Sequence, residues 1–188
     1  MKKLALSMAC VVMSVAAAQA ADYKIDPAHT NARFYIDHFN TSTNSGGFYG
    51  INGDITFVEE EMSGDISVSI PVNTLNTGFK AFDEHMLSSD ILDVEKHPTI
   101  DFKSTKLNFD DKKLTSVEGN LTMKGQTHPV ELKATKFNCY ESPMVNAEVC
   151  GGDFETTIDR TQWGVDYLVK EGMEKMVTLK IQVEAVKQ

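Results

Sequence analysis

Alternation with period two runs through most of this chain and restricts its fold more than any other feature. A strand points successive side chains to opposite faces, so alternation marks segments with one buried face. In 30–39, Ala32, Phe34, Ile36 and His38 share one face, and Arg33, Tyr35, Asp37 and Phe39 share the other. The polar run 40–46 reads as a loop. The next strand, 47–59, carries Tyr49, Ile51, Gly53, Ile55 and Phe57 on one parity. Gly50 and Gly53 predict a bend or bulge within it. Segment 65–74 places Ile66, Val68, Ile70 and Val72 on one face. Segments 99–109, 114–124, 130–138, 147–158 and 176–186 complete the set. Asp110-Asp111-Lys112-Lys113 and the run 125–129 read as connections between strands.

Eight strands joined mainly by short turns, with no alternating strand–helix rhythm, predict an all-β antiparallel fold, either a barrel or a sandwich. An eight-stranded barrel has an interior that side chains fill or that holds one small ligand. Periodicity leaves both interiors open.

One segment breaks the pattern. Residues 79–102 (FKAFDEHMLSSDILDVEKHPTIDF) predict a short helical insertion around 80–92. Phe82, Met86, Leu87, Ile91 and Leu92 recur at roughly helical spacing, which suits a cover over a barrel. Asp83 and Glu84 lie near the helix start, where the dipole favours negative charge. With Asp90, Asp93 and Glu95 they read as a solvated face, the rival being a pair of catalytic carboxylates.

The first twenty residues read as a signal peptide. Lys2 and Lys3 form a basic start, residues 4–18 are mostly apolar, and Ala18-Gln19-Ala20 is a small-x-small cleavage site. The apolar run is shorter than the roughly 18 to 20 residues that span a bilayer. One domain, 21–188, follows. Export to the periplasm is expected, with secretion beyond the cell as the alternative. Cleavage removes two of the 18 basic residues and none of the 27 acidic ones, leaving a formal charge of about −11. Such a surface lacks the basic footprint that nucleic acid requires. It also argues against a protein that coats anionic membranes.

Cys139 and Cys150 remain after cleavage and flank the polar connection 140–149. An oxidising compartment favours a disulfide that pins the ends of a hairpin. The alternatives are a redox pair or a metal site, but the spacing is neither C-x-x-C nor a zinc pattern. His29, His38, His85, His97 and His128 have no metal-ligand spacing, so no metal site is expected. His38 shares the apolar face of Phe34 and Ile36, as a hydrogen-bonded core residue or a ligand-facing group. No nucleophile elbow, H-E-x-x-H or phosphate loop is present, and no enzyme is expected. The run Asp159-Arg160-Thr161-Gln162-Trp163-Gly164 has two readings. It is a strand end with an Asp–Arg pair and an aromatic plug, or an Arg and an indole at the mouth of a pocket.

Four segments together resemble the YceI-like, polyisoprenoid-binding family of exported bacterial proteins. They are Tyr23-Lys24-Ile25-Asp26-Pro27-Ala28-His29-Thr30 followed by Phe34, Ile36 and His38; Gly47-Phe48-Tyr49-Gly50-Ile51-Asn52-Gly53 ending at Phe57; His85-Met86-Leu87-Ser88-Ser89-Asp90-Ile91-Leu92-Asp93-Val94 running to His97-Pro98 and Phe102; and 119–130 (GNLTMKGQTHPV) with Asp159-Arg160 and Trp163-Gly164 beyond.

The resemblance implies an eight-stranded lipocalin-like barrel with an apolar tunnel for a long isoprenoid, either a quinone or a polyprenyl phosphate. No other cofactor is implied. Under that reading Phe34, Ile36, Phe48, Phe57, Phe79, Met86, Leu87, Phe102, Leu121, Met123, Phe154 and Val165 line the tunnel, and His38, Arg160 and Trp163 sit at the head group or mouth. The lipid is the expected partner, with no nucleic acid and no transmembrane segment; monomer and homodimer both stay open. Two rivals remain: a surface interaction or adhesion module with a filled core, and a hydrolase-type enzyme using Asp83, Glu84 and His85.

Overall fold

The computed structural model describes residues 20–188. The expected signal peptide lies outside the described residues except for Ala20.

The chain forms a single antiparallel sheet that closes on itself. The closed ring consists of β1 (Ala21–Ile25), β4 (Asn52–Val58), β5 (Ser63–Pro71), β6 (Thr99–Asp110), β7 (Lys113–Met123), β8 (Gln126–Ser142), β9 (Ala147–Asp159) and β10 (Met176–Lys187), with β10 pairing back to β1. Two more strands, β2 (Asn31–His38) and β3 (Ser42–Phe48), extend this ring. β10 pairs with β1 through Ala185–Lys187 and with β2 through Thr178–Gln182. β1 and β2 therefore occupy one wall position in succession, and β3 and β4 do the same beside them. Ten strands make eight staves, as the alternation and the family resemblance together predict.

Three strand boundaries differ from the sequence reading. The run 40–46 is not a loop, because β3 pairs with β2 from Ala32↔Phe48 to His38↔Ser42. The turn is only 39–41, with Phe39 and Asn40 both at φ 55. Backbone pairing rather than side-chain burial makes this strand, so its polar composition concealed it. Gly46 is also required here, since a Cβ would lie 2.7 Å from the Phe34 ring. The expected bend appears at Gly50, φ +62, and splits the stave into β3 and β4. Finally, β8 begins at Gln126 and includes Pro129. Over 126–132 it has a ladder partner on one side only, the condition under which a strand accepts proline.

The predicted helix is α1 (Lys80–Leu87), shorter than 80–92. Ser88 turns extended, and its Oγ donates to the His85 carbonyl at 2.7 Å. Ile91 and Leu92 are buried from the turns that follow. Asp83 fastens the approach to the helix, accepting from the Thr77 backbone N–H at 2.7 Å and from Thr77 Oγ1 at 2.6 Å.

The register places the long connections 72–98 and 160–175, and the β2–β3 and β7–β8 turns, at one end of the barrel. The short β4–β5, β6–β7 and β8–β9 turns lie at the other. We call these the helical end and the turn end.

Candidate functional site

The inward face of nearly every stave is apolar, yet the interior is not filled. A cavity of about 730 Å³ follows the barrel between its two ends, within the range of small-molecule sites. Its middle is walled by Phe34, Ile36, Phe48, Phe102, Leu121, Phe154 and Ile181. Phe57, Phe109, Phe137, Met62, Lys112 and the disulfide line it toward the turn end. His38, Asn44, Phe82, His85, Met86, Met123, Arg160, Val165, Tyr167 and Leu168 line it toward the helical end. A filled-core module is incompatible with this interior.

Most of the residues expected in a tunnel come together here: Phe34, Ile36, Phe48, Phe57, Met86, Phe102, Leu121, Met123, Phe154 and Val165 all border the cavity. Two do not. Phe79 precedes α1 and is 68% exposed, because the chain places its inward turn one step later, at Phe82. Leu87 packs against the core cluster instead of the cavity. Sequence reasoning also missed contributors. Tyr167 and Leu168 sit in an irregular loop with no periodicity, and Tyr23, Phe109 and Phe137 were not assigned to the tunnel.

The mouth group divides. His38 lines the cavity, and its ring meets Phe39 edge-on at 5.1 Å. Trp163 is not at a mouth. It is 1% exposed, its Nε1 donates to the Leu121 carbonyl at 3.0 Å, and His128 stacks edge-on against it at 5.0 Å. It is the aromatic plug of the two readings, anchoring the 160–163 turn to β7. Arg160 both lines the cavity and is buried. Its Nε, Nη1 and Nη2 donate to the carbonyls of Glu174, Val165 and Tyr167 at 3.0, 2.9 and 3.0 Å. One side chain thus holds the ends of the loop 165–174. Burial lowers its pKa, and Asp166, Asp159 and Glu174 act in the opposite direction.

The expected Asp159–Arg160 pair does not form. Asp159 binds Lys175 at 2.9 Å, and its Oδ1 accepts from the backbone N–H and Oγ1 of Thr161. The Thr161 and Lys175 contacts hold its carboxyl down at about 2. The carboxylates of α1 likewise have structural partners: Asp83 with Thr77, and Glu84 with Lys80 across an exposed 3.6 Å pair. His85 meets the Tyr167 ring at 5.0 Å, so α1 and the 165–174 loop touch over the helical end.

At the turn end Cys139 and Cys150 are directly paired on β8 and β9 and joined by a disulfide. The strands continue three residues past it, so it pins the body of the hairpin rather than its tip. Beside it the Tyr23 hydroxyl donates to Glu148 Oε1 at 2.6 Å, and Lys187 Nζ reaches the same oxygen at 3.1 Å. Those two contacts lower the Glu148 pKa. Among the described residues no three His, Cys, Asp or Glu side chains gather as a metal site. No helix among them is long and apolar enough to cross a membrane.

Comparison with known proteins agrees with this architecture. The YceI-like domain family matches residues 23–185. A UPF0312 protein of Pseudomonas aeruginosa is 33% identical over 189 residues, covering 98% of this chain and 96% of its own. The Campylobacter jejuni YCEI protein superimposes with a TM-score of 0.69 at 22% identity, covering 81% of this chain and 90% of its own. A polyisoprenoid binding domain from Saccharophagus degradans does so with a TM-score of 0.64 at 11% identity, covering 88% and 98%. With a family match across nearly the whole barrel and relatives above 30% identity, the chain belongs to the YceI-like family.

Proposed function

We propose that this protein is an exported lipid carrier that holds one long isoprenoid in its barrel. The observation that carries this reading is the elongated apolar cavity of about 730 Å³. Apolar surface leaving water gains about 25 cal/mol per Å², so enclosure alone holds a hydrocarbon chain without strong polar contacts. The solved relative described as a polyisoprenoid binding domain supports the same ligand class.

Phe34, Ile36, Phe48, Phe57, Phe102, Leu121 and Phe154 would enclose the tail. His38 and Arg160 would face the head group at the helical end, with Met86, Met123 and Val165 beside it. Three donors of Arg160 are committed to backbone carbonyls. Few cations therefore remain for a phosphate, and the acidic surface repels one. This favours a quinone over a polyprenyl phosphate. The amino-terminal signal pattern supports a periplasmic carrier. Binding rather than catalysis accounts for the site, since the acidic residues of α1 have structural partners.

The test is native mass spectrometry of protein purified without delipidation, followed by solvent extraction. One isoprenoid per chain is expected. A barrel that takes up neither quinones nor polyprenyl phosphates would refute the proposal.

A further inference from the structure

Two bulky apolar residues at the helical end occupy backbone positions that such residues avoid. Phe39 has φ 55 and Leu168 has φ 58. The left-handed region suits Gly or Asn, because a Cβ crowds the following carbonyl. Neither residue is repaid by burial: Phe39 is 37% exposed and Leu168 is 36% exposed. Folding alone would favour Gly or Asn at both positions.

The two residues belong to one surface. A Cβ on Gly172 would lie 3.9 Å from the Phe39 ring, so the β2–β3 tip touches the 165–174 loop. Tyr167, 36% exposed, continues the patch beside Leu168, and both also line the cavity. The apolar rim is therefore continuous with the cavity wall. Arg160 makes it a built surface, holding the loop by its Val165, Tyr167 and Glu174 carbonyls.

We propose that Phe39, Tyr167 and Leu168 form a membrane-docking rim that seats the helical end on a zwitterionic bilayer while ligand passes through. The occupant follows from charge and continuity. The charges flanking the rim are mostly acidic, with Asp37, Asp166 and Glu171 against Lys170. The chain carries a net −9. Such a rim is repelled by anionic lipid, while aromatic and aliphatic side chains partition into a neutral interface. An isoprenoid resides in a bilayer, and this rim lets it move between bilayer and cavity with little exposure to water. The inference rests on the lipid-carrier reading for its purpose, but not for its readout.

The test uses flotation of the purified protein with phosphatidylcholine vesicles, with and without added phosphatidylglycerol. Phe39→Asn combined with Leu168→Gly relieves both backbone positions, so the double variant is expected to melt at or above the wild-type temperature. Its partition into phosphatidylcholine vesicles is expected to fall about tenfold or more. Met144→Ser at the turn end, where Met144 is 93% exposed, is expected to float like wild type. Wild-type protein that fails to float, a double variant that floats normally, or a loss confined to Met144→Ser would each overturn the rim. Light scattering covers the other occupant: a wild-type dimer that the double variant abolishes would assign the patch to a second copy of this chain and overturn membrane docking. Quinone uptake in detergent is measured in parallel. Its absence defeats the ligand reading, whereas flotation alone decides the rim.

Discussion

The two ends of the barrel are built on different principles. At the turn end, β4–β5, β6–β7 and β8–β9 are joined by short reversals, and the neighbouring strands are tied by the Cys139–Cys150 disulfide and the Tyr23–Glu148–Lys187 contacts. The ties there run from stave to stave: the disulfide joins β8 to β9, and Glu148 on β9 meets Lys187 on β10 and, beyond it, Tyr23 on β1. At the helical end, two connections of more than fifteen residues cross the opening, and order depends on a few anchors made within the connections themselves. Arg160 holds one connection by three carbonyls, and Asp83 holds the approach to α1 through Thr77. No residue of α1 is fully buried. A closed sheet stabilises itself, whereas its cover depends on individual side chains. Segments with few buried contacts open at low cost, the property expected of an end that admits a ligand.

Removing Arg160 should break this contrast most severely. Arg160→Leu leaves the three carbonyls without their donor, and the expected loss is about 3 kcal/mol or more in denaturant unfolding. Hydrogen exchange should show 165–174 opening while β8 and β9 keep their protection. Protection lost equally at both ends would contradict separate modes of support.

The disulfide probes the opposite end. Replacing Cys139 and Cys150 together by Ser should cost about 2 kcal/mol, because the bond closes a short loop in the unfolded chain. Loosening should concentrate in the β8–β9 hairpin. Loosening that spreads equally to 165–174 would contradict separate modes of support.

A smaller effect is expected from Asp83→Ala, which deletes the acceptor for the Thr77 N–H and hydroxyl. A cost of about 1 kcal/mol is typical for such a local acceptor. It should appear as faster exchange in α1 with little change in the global midpoint. An equal shift of the midpoint would show that the cover and the barrel unfold as one unit.

Acid provides the mildest test. The folded-state pKa of Asp159 is lowered from 3.8 to about 2. Its contribution is therefore complete above the unfolded value and disappears as pH falls from about 4 toward 2. Asp159→Asn should flatten the acid limb of the stability curve in that window. His29 has the opposite sign. Its pKa is raised from 6.5 by Asp26, so its contribution holds below that value and fades as pH rises through the folded pKa. His29→Gln should remove a slight decline on the neutral side and, because His29 is the main cause of the lowered Asp26 pKa, also soften the acid limb.

Strands with a strong side-chain signal were legible in advance. Ile66, Val68 and Ile70 on β5, and Val177, Leu179, Ile181 and Val183 on β10, showed their inward face by parity alone. β3 was not legible, because its polar residues pair through the backbone and carry no hydrophobic period. Most expected tunnel residues lie on periodic strands and do border the cavity. Phe79 and Trp163 did not follow expectation because both lie in connections, where position along the chain does not set direction in space. Tyr167 and Leu168 were missed for the same reason.

The sequence by itself determined that this protein is an all-β antiparallel chain with one helical insertion, and its motifs pointed to the family. Those properties follow from local backbone geometry and the alternation of buried side chains. Only the tertiary structure decided that the interior is hollow, that Arg160 supports a loop rather than an aspartate, and that Phe39 and Leu168 meet at one rim. The hollow interior and the rim depend on which residues, distant along the chain, closure of the barrel brings within reach; the Arg160 contacts are short in sequence but lie in a connection with no period, where no local pattern records direction.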